Sequence, residues 1–249
     1  MEPELLGADE VGRLWAFLLR FGFIKHGEFE RRSKRAFRRG ILNLKDLYGI
    51  DKEALLSEEI LALTEQPRCG NFRFDKRLLE SGCIIDGLCP NRRDLIYQFE
   101  GGFSEKPEEF EYQFVKKAFD TWQKLGRVAF RRAQEEESFD ISVKWIASAD
   151  DLAEIDMSGS IIAHADFPGK CARIVTGDKR PVHFDADESW GDGEYYDIQS
   201  VALHEIGHIL GLEECNVESA VMFHDFKKGD VKRVLQKEDI DVYNLLYPQ

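Results

Sequence analysis

Residues His204-Glu205-Ile206-Gly207-His208-Ile209-Leu210-Gly211-Leu212-Glu213-Glu214 constrain this chain more than any other stretch. They read H-E-x-x-H-x-x-G, followed by a glutamate where a third histidine is expected. Two histidines four apart on a helix lie on one face, one turn from each other. Both imidazoles can reach one Zn²⁺ at about 2.0–2.1 Å. Glu205, beside the first histidine, is placed to take a proton from water at that metal, which points to peptide hydrolysis. The flanks favour a helix: Ile198, Val201, Leu203, Ile206 and Leu210 are apolar, Asp197 is a candidate N-cap, and Gly211 supplies a stop where the chain must bend. A buried helix with two incidental histidines is the plain alternative, and Gly211 and the residues after it weigh against that reading.

Charge is unevenly spread. The 249 residues carry a formal net charge of −13, with 17 Lys and Arg against 16 Asp and Glu in residues 1–98 and 17 against 31 in the remainder. The acidity therefore belongs to the half with the histidine motif, where it reads as a solvated surface or as calcium sites. It argues against nucleic acid as the main partner. Apolar residues make up 43% and aromatics 12%, enough for a sizeable core. No run of 18 apolar residues exists, so no membrane span is expected. The apolar stretch over 14–24 is interrupted by Arg20 and lacks the frame of a signal peptide. It reads as an amphipathic helix; a secretory signal, if the protein is exported, is not in this chain.

Apolar periodicity predicts helices over about 9–24, 28–40 and 53–64, a small three-helix unit. Residues 66–94 read as loop, with Pro67, Gly70, Gly82, Gly87 and Pro90. Beyond it, strands are expected at Leu95–Phe99, Val128–Phe130, Ile141–Ile146, Ile161–His164 and Val182–Phe184. Helices are expected over 107–124, through the histidine motif, and over 237–247. Mixed order of this kind indicates an α+β fold. There is no internal repeat. Five cysteines, Cys69, Cys83, Cys89, Cys171 and Cys215, leave one unpaired if the others bridge. The pairings that suggest themselves are Cys83 with Cys89 and Cys171 with Cys215, with buried free thiols as the alternative.

Several separated motifs then resemble one family, the matrixins or matrix metalloproteinases of the metzincin clan. Pro67-Arg68-Cys69-Gly70 is similar to their cysteine switch. Met222, in Ser219-Ala220-Val221-Met222-Phe223, resembles their Met-turn. Ile162-Ala163-His164 with Pro168-Gly169, and His183 through Trp190, resemble their structural-zinc and calcium segment, and Leu235–Tyr247 their closing helix. The resemblance implies a helical prodomain over 1–98, with the switch and an activation loop, and a catalytic domain over 99–249 with a five-stranded mixed sheet and three helices. Nothing follows residue 249, so a minimal member without a further module is expected.

The resemblance also implies site residues. His204, His208 and Glu214 would hold the catalytic zinc, with Cys69 as a further ligand in the latent form and Glu205 as the catalytic base. Asp151 (or Asp150), His164 and His183 would hold a structural zinc, although the family's remaining histidine is replaced by Ala149 or Asp150. Asp156, Asp185 and Glu188 would bind calcium. Met222 would floor the zinc ligands, and Phe226 would line an apolar specificity pocket, with His224 in place of a common proline. Arg73 stands where the family carries an aspartate that pairs with the switch arginine, so Arg68 loses that partner.

Glu214 is the departure that bears on chemistry. Two histidines and a glutamate form a known catalytic zinc set. A carboxylate lowers the net charge at the metal and should acidify water less than a third imidazole. Glu213 and Cys215 are neighbouring alternatives. The expectation is a secreted, extracellular, monomeric zinc endopeptidase, latent until proteases act on it, with Lys76-Arg77 and Arg92-Arg93 as candidate cuts and extracellular or matrix proteins as substrates. The rival is a catalytically impaired zinc-binding protein on the same scaffold.

Overall fold

Aromatic and aliphatic residues at helical spacing build the first part of the chain. In the computed structural model, which describes residues 6–54, 58–81, 83, 93–147, 161–166 and 179–248, the chain divides into two units. One comprises Met1–Gln66 with Phe72–Gly82, the other Pro67–Asn71 with Cys83–Gln249.

In the first unit, α1 (Ala8–Arg20) buries Leu14, Trp15, Phe17 and Leu18. Next come α2 (His26–Glu30) and α3 (Lys34–Leu47), and Trp15 stacks on Phe37 of α3 with ring centroids 4.8 Å apart. The single helix expected over 28–40 is thus two. Ser33 Oγ accepts the Ala36 N–H at 3.3 Å and Arg32 has φ 46°, so a serine N-cap and a left-handed residue restart the chain. The unit is completed by α4 (Glu58–Thr64) and α5 (Arg77–Ser81).

The second unit holds the sheet. Its strands are β1 (Arg68–Cys69), β2 (Asp94–Gly101), β3 (Ala129–Arg132), β4 (Ile141–Ile146), β5 (Ile161–Ala165) and β6 (Arg180–Asp185), in spatial order β1-β5-β6-β4-β2-β3. All neighbours run parallel except β5 and β6. The α+β class and the mixed sheet are therefore as expected. The sixth strand is the two-residue β1, from a stretch read as loop. A second, two-stranded sheet joins β7 (Trp190–Gly191) and β8 (Tyr196–Asp197).

Among the described residues, three helices cover this unit: α6 (Glu111–Gln123), α7 (Ile198–Ile209) and α8 (Lys237–Leu246). Tyr97 of β2 stacks on Phe119 of α6 at 4.1 Å, and the Trp122 indole N–H donates to the Leu203 carbonyl of α7 at 2.8 Å. The Tyr247 hydroxyl, just past α8, donates to Leu210 O at 2.9 Å. Buried tyrosines and tryptophans thus tie helices together by both area and a polar tip. Every residue of α7 is buried, so its position is fixed on all sides.

The cysteine pairing differs from expectation. Cys83 is bonded to Cys215, 132 residues away, and Cys69 is a buried free thiol. Cys83 therefore does not pair with Cys89, nor Cys215 with Cys171; Cys89 and Cys171 themselves lie outside the described residues. Sequence nearness favoured a local loop, but an isolated bridge brings the backbone of Cys83 against Cys215.

Candidate metal centre

Both ends of α7 are set by local chemistry. Asp197 Oδ1 accepts the Ser200 N–H at 2.8 Å, the N-cap its position suggested. At the other end Leu212 N–H bonds Gly207 O and Gly211 N–H bonds His208 O, both at 2.9 Å, with Gly211 at φ 95°. This is a Schellman closure, and glycine supplies the left-handed residue it needs. The reversal turns Leu212 back over the helix, where its carbonyl meets His208 Nδ1 at 2.8 Å. It also returns Glu214 to the face that carries the histidines.

Four donor atoms converge there. Those of Cys69, His204, His208 and Glu214 all lie within 4.8 Å of one another, and all four residues are buried. His204 Nε2 is 3.1 Å from His208 Nε2, and Cys69 Sγ is 3.4 Å from His208 Nε2. The Glu214 oxygens lie 3.7 Å from His204 Nε2 and 3.4 Å from His208 Nε2. A tetrahedral zinc with bonds of about 2.0–2.3 Å requires donors about 3.3–3.7 Å apart; three of these four separations fall in that range, and the 3.1 Å between the imidazoles is slightly shorter. His204 Nδ1 meets Val221 O at 2.8 Å, as His208 Nδ1 meets Leu212 O. With Nδ1–H given to a carbonyl, each ring turns a bare Nε2 inward, the tautomer a metal ligand needs. Neither Glu214 oxygen makes a hydrogen bond, an unusual state for a buried carboxylate that a cation would relieve.

The same crowding shifts protonation. Burial drives His204 down to about 4, against the pull of Glu214. Burial also opposes charge on His208, but the Glu214 carboxylate and then Glu205 carry it up to about 9. Burial alone would raise Glu214; His204 and His208 outweigh it and lower the group. Burial pushes the Cys69 thiol well above its ordinary value, with Glu205 and Glu214 adding to it. A cation at this point reverses that balance, because thiol and imidazole ligate only without their protons. Glu205 Oε2 is 3.7 Å from Cys69 Sγ, Oε1 has no hydrogen-bond partner, and burial pushes the carboxyl up to about 8.

The family model described as Matrixin matches residues 90–248. The chain belongs to the matrixin family. Over 207 residues this matrixin is 28% identical to matrix metalloproteinase-18 of Xenopus laevis, a match that covers 82% of this chain and 42% of the relative. Matrix metalloproteinase-2 of Drosophila melanogaster is 27% identical over 251 residues, covering 91% of this chain and 32% of the relative. Karilysin of Tannerella forsythia is 29% identical over 175 residues, with 67% and 36% covered. The chain thus spans less than half the length of each. Family membership and the four-donor cluster together point to zinc.

The remaining expected residues fall into distinct places. Met222 packs under Gly207 of α7, and the Phe226 ring meets His204 edge-on at 5.0 Å. Glu213 is outside the donor cluster, and Cys215 is committed to its disulfide. His164 and His183 face each other across β5 and β6, with ring centroids 5.1 Å apart. Asp151, their expected third ligand, lies outside the described residues, as does Asp156. Asp185 Oδ1 accepts the Asp187 N–H at 2.8 Å, and Glu188 is 3.5 Å from Lys228 Nζ. Among the described residues these do not form a second cluster of three donors. Arg73 Nη1 donates to Phe72 O at 2.6 Å.

One supporting residue was not anticipated. Asp239 accepts the backbone N–H groups of Val221 (3.0 Å), Met222 (3.1 Å) and Gln236 (2.8 Å), so it holds the turn that supplies the carbonyl for His204. Its signal was a carboxylate at the third position of the last helix, where a capping box would place it.

Proposed function

We propose that this matrixin is a latent, zinc-dependent endopeptidase, with residues 1–98 as prodomain and 99–249 as catalytic domain. The observation that carries the reading is the convergence of Cys69 with His204, His208 and Glu214 at zinc-ligand spacing. His204, His208 and Glu214 would be the permanent ligands, and Cys69 would fill the fourth position until its segment is removed. Zinc bound there supplies Lewis-acid polarisation of a scissile carbonyl and of water. Glu205 takes the proton from the attacking water on a carboxylate oxygen and hands it to the leaving amine. Phe226 beside His204 would form one wall of a pocket for a large apolar side chain.

Calcium at Asp156, Asp185 and Glu188, and a structural zinc at His164, His183 and Asp151, belong to the same reading; the facing pair of histidines supports the second. Secretion, extracellular or matrix protein substrates and activation by other proteases rest on the relatives, which carry the name matrix metalloproteinase. No helix among the described residues is long and apolar enough to cross a membrane. A second reading, a zinc-binding protein impaired in hydrolysis, is favoured by the carboxylate of Glu214, which weakens activation of water.

The deciding experiment measures zinc content of the full chain, then assays a peptide library after limited proteolysis, with Glu205→Ala as control. The endopeptidase reading expects one zinc at the centre and cleavage well above the control. Zinc-loaded, processed protein with cleavage no higher than Glu205→Ala sinks it and leaves the second reading standing.

A further inference from the structure

Arg68 and Asp225 are both almost wholly buried. The guanidinium Nη2 lies 4.0 Å from Asp225 Oδ1, a charge contact too long for a hydrogen bond. Their meeting is built into the backbone. Phe226 N–H bonds Pro67 O at 2.8 Å and Cys69 N–H bonds His224 O at 3.2 Å. Arg68 and Asp225 are therefore directly opposite in an antiparallel bridge, at the position between hydrogen bonds where side chains approach closest. On its other edge the segment follows β5, with Gly70 N–H on Ala163 O at 2.8 Å and Asn71 Nδ2 on Ala165 O. Residues 67–71 thus pass between β5 and residues 224–226, extended at Arg68–Cys69 and turning at Gly70–Asn71, with Cys69 at the donor cluster.

Asp225 is also preset on its own side of this track. His224 Nδ1 lies 2.9 Å from Asp225 Oδ1. Behind Asp225, Lys227 and Lys232 line a small cavity with it and act on it electrostatically, while Lys227 also pairs with Glu218 at 3.0 Å and Lys232 lies over the Phe223 ring at 4.6 Å. A desolvated carboxylate facing a strand-shaped track gains most from a cation that the strand itself brings.

We propose that Asp225 is a receptor for a basic side chain: Arg68 fills it in this structure, and an arginine or lysine of a peptide substrate fills it once residues 67–71 have left. The inference rests on the reading of this track as a peptidase cleft. It also gives Arg68 a partner on the opposite wall, where Arg73 cannot serve. Asp225 is a specificity residue here, since it touches the peptide and not the reacting atoms.

The test uses two peptides with the sequence of residues 64–71, alanine replacing the cysteine, and either arginine or neutral citrulline at the Arg68 position. They are titrated into the zinc-loaded full chain carrying Arg68→Gln and Cys69→Ala, which loosen the resident segment. The arginine peptide is expected to bind about tenfold more tightly. Asp225→Asn removes the difference and Asp225→Glu keeps it. As a second measurement, Arg68→Gln and Asp225→Asn each speed alkylation of Cys69 in the otherwise unaltered chain by about tenfold, and the pair together no further. Equal affinities, no binding of either peptide, a preference that survives Asp225→Asn, or unchanged alkylation overturns the proposal. None of these readouts involves hydrolysis, so the endopeptidase reading fails or stands separately, on zinc content and the Glu205→Ala control.

Discussion

Gly207 and Met222 touch so closely that a β-carbon on the glycine would overlap the methionine sulfur. The glycine inside the histidine motif is thus a packing residue as well as a spacer. It lets Met222 pack directly against the backbone of α7 at the position next to His208.

Gly207→Ala sets two effects against each other. Alanine gains about 1 kcal/mol of helix propensity over glycine. The new methyl meets Met222 Sδ and Cε and approaches the Trp122 ring at 3.2 Å, all within a buried site. Overpacking of this kind costs about 1–3 kcal/mol, so a net loss of stability is expected by denaturant titration. Met222→Ala in the same chain should recover part of it; a strictly additive double variant would show that the two residues do not share this space.

Glu214→Ala should weaken zinc binding by more than the roughly 10–100-fold typical of losing a residue behind the ligands. Competition with a chromogenic chelator measures this. Glu214→His, which restores a neutral imidazole, is expected to hold zinc and to match or exceed the native peptidase rate. Full zinc affinity in Glu214→Ala would remove Glu214 from the ligand set.

Asp239→Ala leaves three backbone N–H groups without their acceptor, two of them at the turn behind His204. Hydrogen bonds to a charged acceptor contribute about 1.5–3 kcal/mol each, and water recovers part of that in the variant. A destabilisation of about 3 kcal/mol is expected in urea, along with reduced zinc affinity because the Val221 carbonyl is no longer held. Unchanged zinc affinity would confine Asp239 to a structural part.

In chelator-treated protein, stability should fall as pH rises from about 6.5 to 9. The His208 pKa is raised from 6.5 to about 9, so the folded state holds a proton that the unfolded chain loses. Glu205, raised from 4.5 to about 8, acts in the same direction. His204, lowered to about 4, opposes them only below its unfolded value of 6.5. Thermal melts across this range should show the decline, and Glu205→Gln should reduce it. A flat profile would mean that neither group carries its proton into the folded state.

What the sequence disclosed follows the range of each interaction. The course of α7 was legible because its determinants are local: an aspartate cap at Asp197, apolar spacing and Gly211 at the exit. The break at Ser33 was hidden by apolar periodicity that runs through it. β1 was illegible because a two-residue strand exists only through its neighbours, residues 161–163 and 224–226. The tie from Asp239 to Met222 and the contact of Arg68 with Asp225 join distant stretches, and neither stretch alone announces the other. Cysteine pairing failed for the same reason, since spacing along the chain says nothing of the approach of residue 83 to residue 215.

The Cys83–Cys215 bond turns residues 83–215 into a covalent ring. Hydrolysis at any one peptide bond inside that ring, Arg92-Arg93 included, linearises it without shedding a residue, and everything upstream stays leashed to the position after Glu214. A cut at Lys76-Arg77 lies outside the ring and frees all that precedes it. The two cuts therefore have unlike products before reduction: one a nicked molecule of undiminished mass, the other two separate chains.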